Sequence, residues 1–580
     1  MKIKSVTIEN FRCFDTPLVV NFENYSGLVG KNGTGKTSVL EAINLATSQY
    51  YVSSRINESD FNNEENIRII VEFDKCFVML IPDGFASQYV PSNRIYLAIS
   101  RRSKAAAGKA LNDGYTINHF AIPYTYSSST ELSDVLEDSM LNGQESLDKL
   151  PNSVLLNGDE DEYKYKITRK SGTVKYADSR SLQLSNNMIG FPNVFYFDKD
   201  REGETSKKFN NLMSRILDDL NWRYLSKTSD ETEILQSEES EGEAVMGTAI
   251  LEQLILDVWE EYYNKVIGTV EKEKSKRIIY PLKKKMKDFW GEMYEDLELS
   301  VLDLTSPFSS GFFSLRKQKK SKQIKVNNLG SGESMILAYF LLQTISKLSK
   351  ERVIYLIDEP EMHLHPQAQV KLFDEIQKSK NQVIYTTHSD MFVDIGAWKS
   401  ILRFSPEEVY PTEEILNDKS IEDKAISEHL EEIKQFHQDK TIFVRENNEI
   451  FFADKCLLVE GPIDKYGNAI LAKKLSKEFQ NTTIVSCTGK TKILYYVLLC
   501  KAFGIPYFVI YDQDEEGKYT LLEDNSDNIE SYTTSFEKVF EQGEEARRND
   551  ILTYIINLDK ENIPEEVVNI IQTISTWSDE

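Results

Sequence analysis

Apolar and polar residues alternate from Lys2 to Asn10, which predicts a strand. A second apolar stretch runs into Gly27-Leu28-Val29-Gly30, and the run Lys36–Gln49 has helical spacing. Further strands are expected at Ile67–Phe73 and Cys76–Ile81. Asp83–Met188 is loose and rich in Ser, Asn, Tyr and Gly, and reads as an insertion of loops and short strands closed by the strand Phe191–Asp198. Helical periodicity returns at Lys207–Asp219 and Thr248–Asn264, on either side of the acidic stretch Thr228–Glu243. That pattern predicts an antiparallel arm. Strand and helix alternate over 326–404, charged loops and helices fill Ser405–Glu449, and a last α/β unit starts at Ile450.

The expected organisation is therefore α/β, with five segments. They are a head with its insertion (1–200), a helical arm suited to dimerisation (201–300), the rest of the head (301–404), linker helices (405–449) and a C-terminal βαβαβ domain (450–580). A chain of 580 residues allows roughly three or four domains of ordinary size. With 40% hydrophobic and 28% charged residues it has the mass for real cores, which excludes a mainly disordered or fibrous protein. No apolar run reaches the ~18 residues of a membrane span, and MKIKSVTIENF does not read as a signal peptide, so no membrane partner is expected. Five cysteines without metal spacing suit a reducing cytoplasm. The net charge of −25 excludes nucleic-acid binding over the whole surface. A DNA partner would need local basic patches, for which Lys272–Lys287, Arg316–Lys325 and Arg101-Arg102 are the candidates, each run alone reading more simply as a solvated helix face or hairpin.

Two groups of residues carry phosphate chemistry. The first begins at Gly30-Lys31-Asn32-Gly33-Thr34-Gly35-Lys36-Thr37, a full G-x-x-x-x-G-K-[ST] between a strand and a helix. Gly30, Gly33 and Gly35 let backbone N–H groups, Asn32 included, close around phosphates. Lys36 reaches the β- and γ-phosphates of ATP, and Thr37 offers its hydroxyl to Mg²⁺. Val353–Ile357 is a buried strand ending at Asp358 and Glu359, suited to the Mg²⁺ shell and to activating water respectively. Ser331, Gly332 and Glu333, in Asn328-Leu329-Gly330-Ser331-Gly332-Glu333, open a helix whose N-terminus favours anions. His388, after the strand Gln382–Tyr385, is placed to sense a γ-phosphate.

The second group lies near the C-terminus. The strand Lys455–Val459 runs into Glu460-Gly461-Pro462-Ile463-Asp464, and Pro506–Tyr511 runs into Asp512-Gln513-Asp514. Carboxylates at the carboxyl ends of parallel strands stand where open α/β sheets place their sites. Asp512 and Asp514, two apart, face the same way on an extended segment, and Glu460 approaches from a neighbouring strand end. Like charges this close call for a divalent cation, and an all-oxygen set suits Mg²⁺ or Mn²⁺. Such ions stabilise an in-line phosphoryl displacement. A solvated acidic loop is the plain alternative.

The first motif set resembles an ABC-type ATPase head of the SMC and RecF kind, in the order phosphate loop, LGSGE signature, LIDEPE and THS; IENFRCF resembles its first strand and implies Arg12 near nucleotide. LLVEGPID and IYDQD resemble a TOPRIM domain, and the two in this order resemble the OLD family of nucleases, whose phage-defence members include Gabija-type and retron-associated effectors. The resemblance implies Glu460, Asp464, Asp512 and Asp514 as metal ligands, with Glu460 also a general base. It implies a further acid, matched by Glu537, and a lysine after the DxD that has no clear counterpart. Lys490, in a Thr488-Gly489-Lys490 turn, is positioned for phosphate. It further implies ATP with Mg²⁺ or Mn²⁺ at both sites, DNA as substrate and a homodimer or higher oligomer. A reverse transcriptase with its msDNA, or another defence-system subunit, is the implied partner. The competing expectation is a non-nucleolytic RecF- or SMC-like repair ATPase with a TOPRIM-like binding unit.

Overall fold

The computed structural model describes residues 1–48, 52–63, 65–81, 88–101, 114–132, 135–136, 150–184, 188–198, 279–290, 296–300, 312–316, 324–325, 331–349, 352–405, 408–411, 446–513, 520–540 and 548–579. The expected arm helices Lys207–Asp219 and Thr248–Asn264, most of the linker segment 405–449, and Asp514 lie outside the described residues. The chain divides into two compact units, Met1–Tyr25 with Thr37–Thr387, and Ser26–Lys36 with His388–Glu580.

In the first unit an antiparallel sheet is built on the strand Ile3–Glu9, flanked by Leu18–Asn21 and Ile67–Ile81, then Gln88–Arg101 and Tyr115–Pro123. Two short strands are expected at 67–81; the structure has one of 15 residues. Its pairing with Gln88–Arg101 shifts register between Glu72 and Phe77, so Asp74 and Lys75 are absorbed as a bulge instead of ending the strand. The insertion likewise holds more regular structure than its polar composition suggests. The strand Gln88–Arg101 buries Ile95, Leu97 and Ile99, alternating with the half-buried Arg94, Tyr96, Ala98 and Ser100. Asn193–Phe197, Val353–Ile357 and Gln382–Thr386 form a parallel set with Val353–Ile357 in the middle. All five residues of that middle strand are buried, as its unbroken apolar run requires.

In the second unit the strand Tyr25–Gly30 pairs in parallel with Ile401–Phe404, in the register Gly27 with Ile401 through Gly30 with Phe404. The C-terminal domain is a four-stranded parallel sheet in the order Thr482–Ser486, Lys455–Val459, Tyr507–Asp512, Ile529–Tyr532. One face packs on the helix Lys490–Ala502 through Cys456, Leu458, Val485, Val509 and Tyr511. The other packs on Pro462–Leu475, Arg548–Asn557 and Glu565–Asp579 through Leu457, Val459, Phe508 and Ile510. Period-two alternation on a doubly covered sheet thus splits each strand between two cores. Among the described residues no helix is long and apolar enough to cross a membrane.

Candidate functional site: two clusters of phosphate chemistry

In the second unit the phosphate loop follows its strand directly. Gly30 has φ 133°, and a Cβ there would run into the Phe404 carbonyl oxygen, so glycine is obligatory. Gly33 and Gly35 also have positive φ, 82° and 93°. Lys36 is buried, and its ammonium donates to the carbonyls of Gly30 at 2.8 Å and Lys31 at 2.7 Å. Asn32 is exposed on the loop, and His388, also in this unit, is exposed. Lys31 pairs with Asp454 at 2.7 Å, immediately before the first strand of the C-terminal sheet.

In the first unit Thr37 donates its hydroxyl to Asp358 Oδ1 at 3.0 Å. Asp358 is fully buried at the end of its strand. Thr386 donates to the same oxygen at 2.5 Å and accepts from the Glu359 N–H at 3.0 Å. Glu359 adopts φ 46°, so the chain turns left-handed just where the second carboxylate is presented. The sequence reading finds Thr37, Asp358 and Glu359 but misses Thr386 as the link between the two acids. Its only signal is a hydroxyl residue ending the next buried strand.

Gly332, near the start of the helix Ser331–Ser349, is buried, and a Cβ on it would lie 2.8 Å from the His363 carbonyl oxygen. Glu333 is half-buried, and Ser331 begins the helix; Asn328, Leu329 and Gly330 lie outside the described residues. Arg12 bonds Asp60 at 2.9 Å and pairs with Glu41. Burial alone would lower its pKa, but these two carboxylates outweigh burial and raise it. Arg101 bonds Glu58 at 2.9 Å and the Asn63 carbonyl at 2.8 Å, with its guanidinium over the Phe61 ring. The structure therefore engages this arginine locally.

The second cluster stands at the carboxyl edge of the C-terminal sheet. Glu460 follows the strand Lys455–Val459, and its Oε1 accepts the Asp512 N–H at 2.8 Å. Asp512 ends the strand Tyr507–Asp512 and is buried, and its Oδ2 accepts the Phe536 N–H at 3.0 Å. Asp464, in the first turn of its helix, accepts the Gly461 N–H at 2.8 Å. Each carboxylate is thus oriented by a backbone N–H donor. Burial, then the charges of Glu537 and Glu460, push the Asp464 pKa up to about 7, against the bond from Gly461. Glu537, next to Phe536, is therefore near enough for its charge to reach Asp464.

The helix carrying Asp464 approaches closely because of Gly467. A Cβ there would sit 2.5–2.6 Å from the Phe536 ring, whose own N–H holds Asp512. Glycine costs a helix about 1 kcal/mol relative to alanine, so close packing is what keeps it here. Sequence reading passes over Gly467, and over Asn468, which is fully buried, donates to the Asp464 carbonyl at 2.9 Å and accepts from Tyr532 at 2.9 Å. Among the described residues no three His, Cys, Asp or Glu side chains converge as a ready-made ion site. The donor chemistry still fits a hard cation. All the candidates are carboxylates, and burial first, then the charges of Glu537 and Glu460, make an ionised Asp464 costly in a way that a dication would offset.

Comparison with known proteins fits both clusters. Residues 1–393 match the AAA ATPase domain model. The chain belongs to that ATPase family. Residues 451–514 match the model of the TOPRIM domain of overcoming lysogenization defect (OLD) protein-like chains. The OLD nuclease of Thermus scotoductus is 22% identical over 88% of this chain and 82% of its own length. Endonuclease GajA of Bacillus cereus is 19% identical over 90% and 78%. The Old nuclease of Escherichia phage P2 is 23% identical over 46% and 48%. Among solved structures, the Smc head domain with an extended coiled coil bound to the C-terminal domain of ScpA from Pyrococcus furiosus matches at TM-score 0.32 and 13% identity over 70% of this chain and 95% of that one.

Proposed function

We propose that this protein is an ATP-hydrolysing, divalent-metal-dependent DNA endonuclease or nickase. The observation that carries the reading is the pair Glu460 and Asp512 at adjacent strand ends, linked by the Asp512 N–H, with Asp464 close enough to feel the Glu460 and Glu537 charges, on the same chain as a full phosphate loop. Lys36 would neutralise nucleotide phosphates, and Thr37 and Asp358 would hold Mg²⁺. Glu359 orients the attacking water, with Thr386 fixing its backbone. At the C-terminal sheet, Glu460, Asp464 and Asp512, with Asp514, hold Mg²⁺ or Mn²⁺, and Glu537 completes the negative field. Such an ion supplies charge stabilisation to both oxygens of an in-line displacement at phosphorus. The residues themselves orient that ion, and Glu460 takes the proton of the attacking water.

The relatives' printed names, OLD nuclease and endonuclease, support the same activity here. A homodimer, a cytoplasmic setting and a role in phage defence follow from the family resemblance, as do Ser331, Gly332, Glu333 and His388 as nucleotide contacts. A reverse transcriptase with its msDNA rests on that resemblance alone. The test is supercoiled plasmid with Mg²⁺ or Mn²⁺, with and without ATP, alongside Asp512→Ala. Metal-dependent nicking or linearisation lost in Asp512→Ala, with ATP hydrolysis retained, is the expected result. ATP hydrolysis with no cutting under any condition would return the protein to the non-nucleolytic repair class.

A further inference from the structure

A buried hydroxyl stands beside the Thr37–Asp358 pair with nothing to bond. Tyr196 lies on the strand Asn193–Phe197, which runs parallel to Val353–Ile357 with Tyr196 opposite Leu356. Residues in register on neighbouring strands share a face of the sheet, and so does the residue two further on. The pairing continues beyond Leu356, because the Asp358 N–H donates to the Phe197 carbonyl at 2.8 Å. Tyr196 is therefore one row back from Asp358 on the same face. The helix Lys36–Thr47 brings a second acid to that place. Thr37 donates to Asp358, and Glu41 lies one turn further along the same side of the helix. Glu41 pairs in turn with Arg12.

The Tyr196 side chain is half-buried, but its hydroxyl oxygen is out of reach of solvent, and among the described residues it has no hydrogen-bond partner. Burial first, then the charges of Asp358, Glu41 and Asp198, push its pKa far up, so the phenol keeps its proton. Those charges also place the hydroxyl at the end of the site where Asp358 stands. A buried polar group left unbonded is costly, and phenylalanine would fill the same space without that cost. A tyrosine here is explained by a partner that arrives from outside the chain. Glu41 is already committed to Arg12, which Asp60 holds from another side at 2.9 Å. The remaining partner is water around a divalent ion. Mg²⁺ sheds its waters reluctantly and keeps several when bound. Such waters are strong donors, and a phenol oxygen accepts while its own proton turns to a carboxylate.

We propose that Tyr196 is a positioning residue of the ATPase site, its hydroxyl anchoring the hydration shell of the divalent ion that Thr37 and Asp358 hold. The inference deepens the ATPase reading and rests on it. It also accounts for an orphaned hydroxyl in an otherwise apolar strand.

The experiment compares the full-length chain with Tyr196→Phe. Affinity for a non-hydrolysable ATP analogue is measured by calorimetry in EDTA and again with Mg²⁺. The gain in affinity on adding Mg²⁺ should be roughly three- to tenfold smaller in Tyr196→Phe, the worth of one hydrogen bond, with affinity in EDTA unchanged. Without nucleotide or metal, Tyr196→Phe should melt no lower than wild type, because it removes an unsatisfied group and breaks no bond. A clearly lower melting temperature in EDTA would reveal a bond within the folded chain and overturn the proposal. An equal loss of affinity with and without Mg²⁺ would assign the hydroxyl to Glu41 and overturn it too. A wild-type chain that binds nucleotide with no gain from Mg²⁺ would sink the ATPase reading itself. A normal wild-type gain, kept in full by Tyr196→Phe, would sink this proposal alone.

Discussion

Thr386 is the sharpest place to test the ATPase half. Replacing it with Val keeps the shape and removes one hydroxyl that makes two bonds. The first is donated to a fully buried carboxylate oxygen of Asp358, and a bond to a charged group contributes about 1.5–3 kcal/mol. The second accepts the Glu359 N–H, and a backbone donor left without its partner costs about 1–3 kcal/mol. Thr37 still donates to the same Asp358 oxygen, which tempers the first loss. The expected destabilisation is therefore about 2–4 kcal/mol, read as a lower urea midpoint by fluorescence and circular dichroism together. Thr386→Ser keeps the hydroxyl and gives up one methyl, so it should lose only about 1 kcal/mol. ATP turnover should fall in the Val variant and survive in Ser, because Glu359 holds its left-handed backbone through this hydroxyl. A Val variant within about 0.5 kcal/mol of wild type, with turnover within twofold, would refute the reasoning.

Other consequences are equally direct. Gly467→Ala should gain helix propensity yet lose roughly 1–3 kcal/mol overall by overpacking against Phe536, and metal-dependent cutting should fall with it because the Phe536 N–H holds Asp512; a melting curve beside the nicking assay reads both. Without divalent ions, the wild-type chain should lose stability relative to Asp464→Asn as pH rises. The folded Asp464 keeps its proton to about pH 7 and the unfolded one sheds it near 4, so the penalty is absent below pH 4 and complete above pH 7, at as much as about 4 kcal/mol. Urea melts of the pair at pH 4, 6 and 8 in EDTA check the sign, and a gap that narrows with rising pH would contradict it. Arg403→Met should cost about 2–4 kcal/mol, because its guanidinium donates to the carbonyls of Phe503 at 3.0 Å and Ala453 at 3.2 Å; a denaturant titration measures it.

What the sequence shows and what it hides follow from the range of the interactions. The phosphate loop, the strand into Asp358 and the acids after Val459 and Tyr511 are legible because each is local: a buried strand ends and the functional residue comes next. Glu537 is matched through a family pattern, and its charge helps to raise the Asp464 pKa. Thr386, Gly467 and Asn468 go unread because their importance depends on partners 28, 69 and 64 positions away, at Asp358, Phe536 and Tyr532. No periodicity encodes such pairings. The strand Ile67–Ile81 is split in two on paper for a related reason, since a bulge at Asp74-Lys75 looks in sequence like the end of a strand.

The second unit shows how the phosphate loop is attached to the C-terminal domain, and magnitudes decide which contact matters. The Lys31–Asp454 pair is short, but the lysine is 63% exposed, and exposed pairs contribute between nothing and about 1 kcal/mol. Arg403 lies on the strand beside the loop strand, in register with Val29, and its bonds to Ala453 and Phe503 are part-buried. Burial lowers its pKa. Gly504 adds a steric lock, since a Cβ there would fall 2.6 Å from the Tyr410 ring. The rigid part of the join is therefore the Arg403 clamp, and the ion pair is the part that can open and close at little cost. A loop side chain that changes partner when phosphates arrive would do so at Lys31, leaving the strand register behind it unmoved.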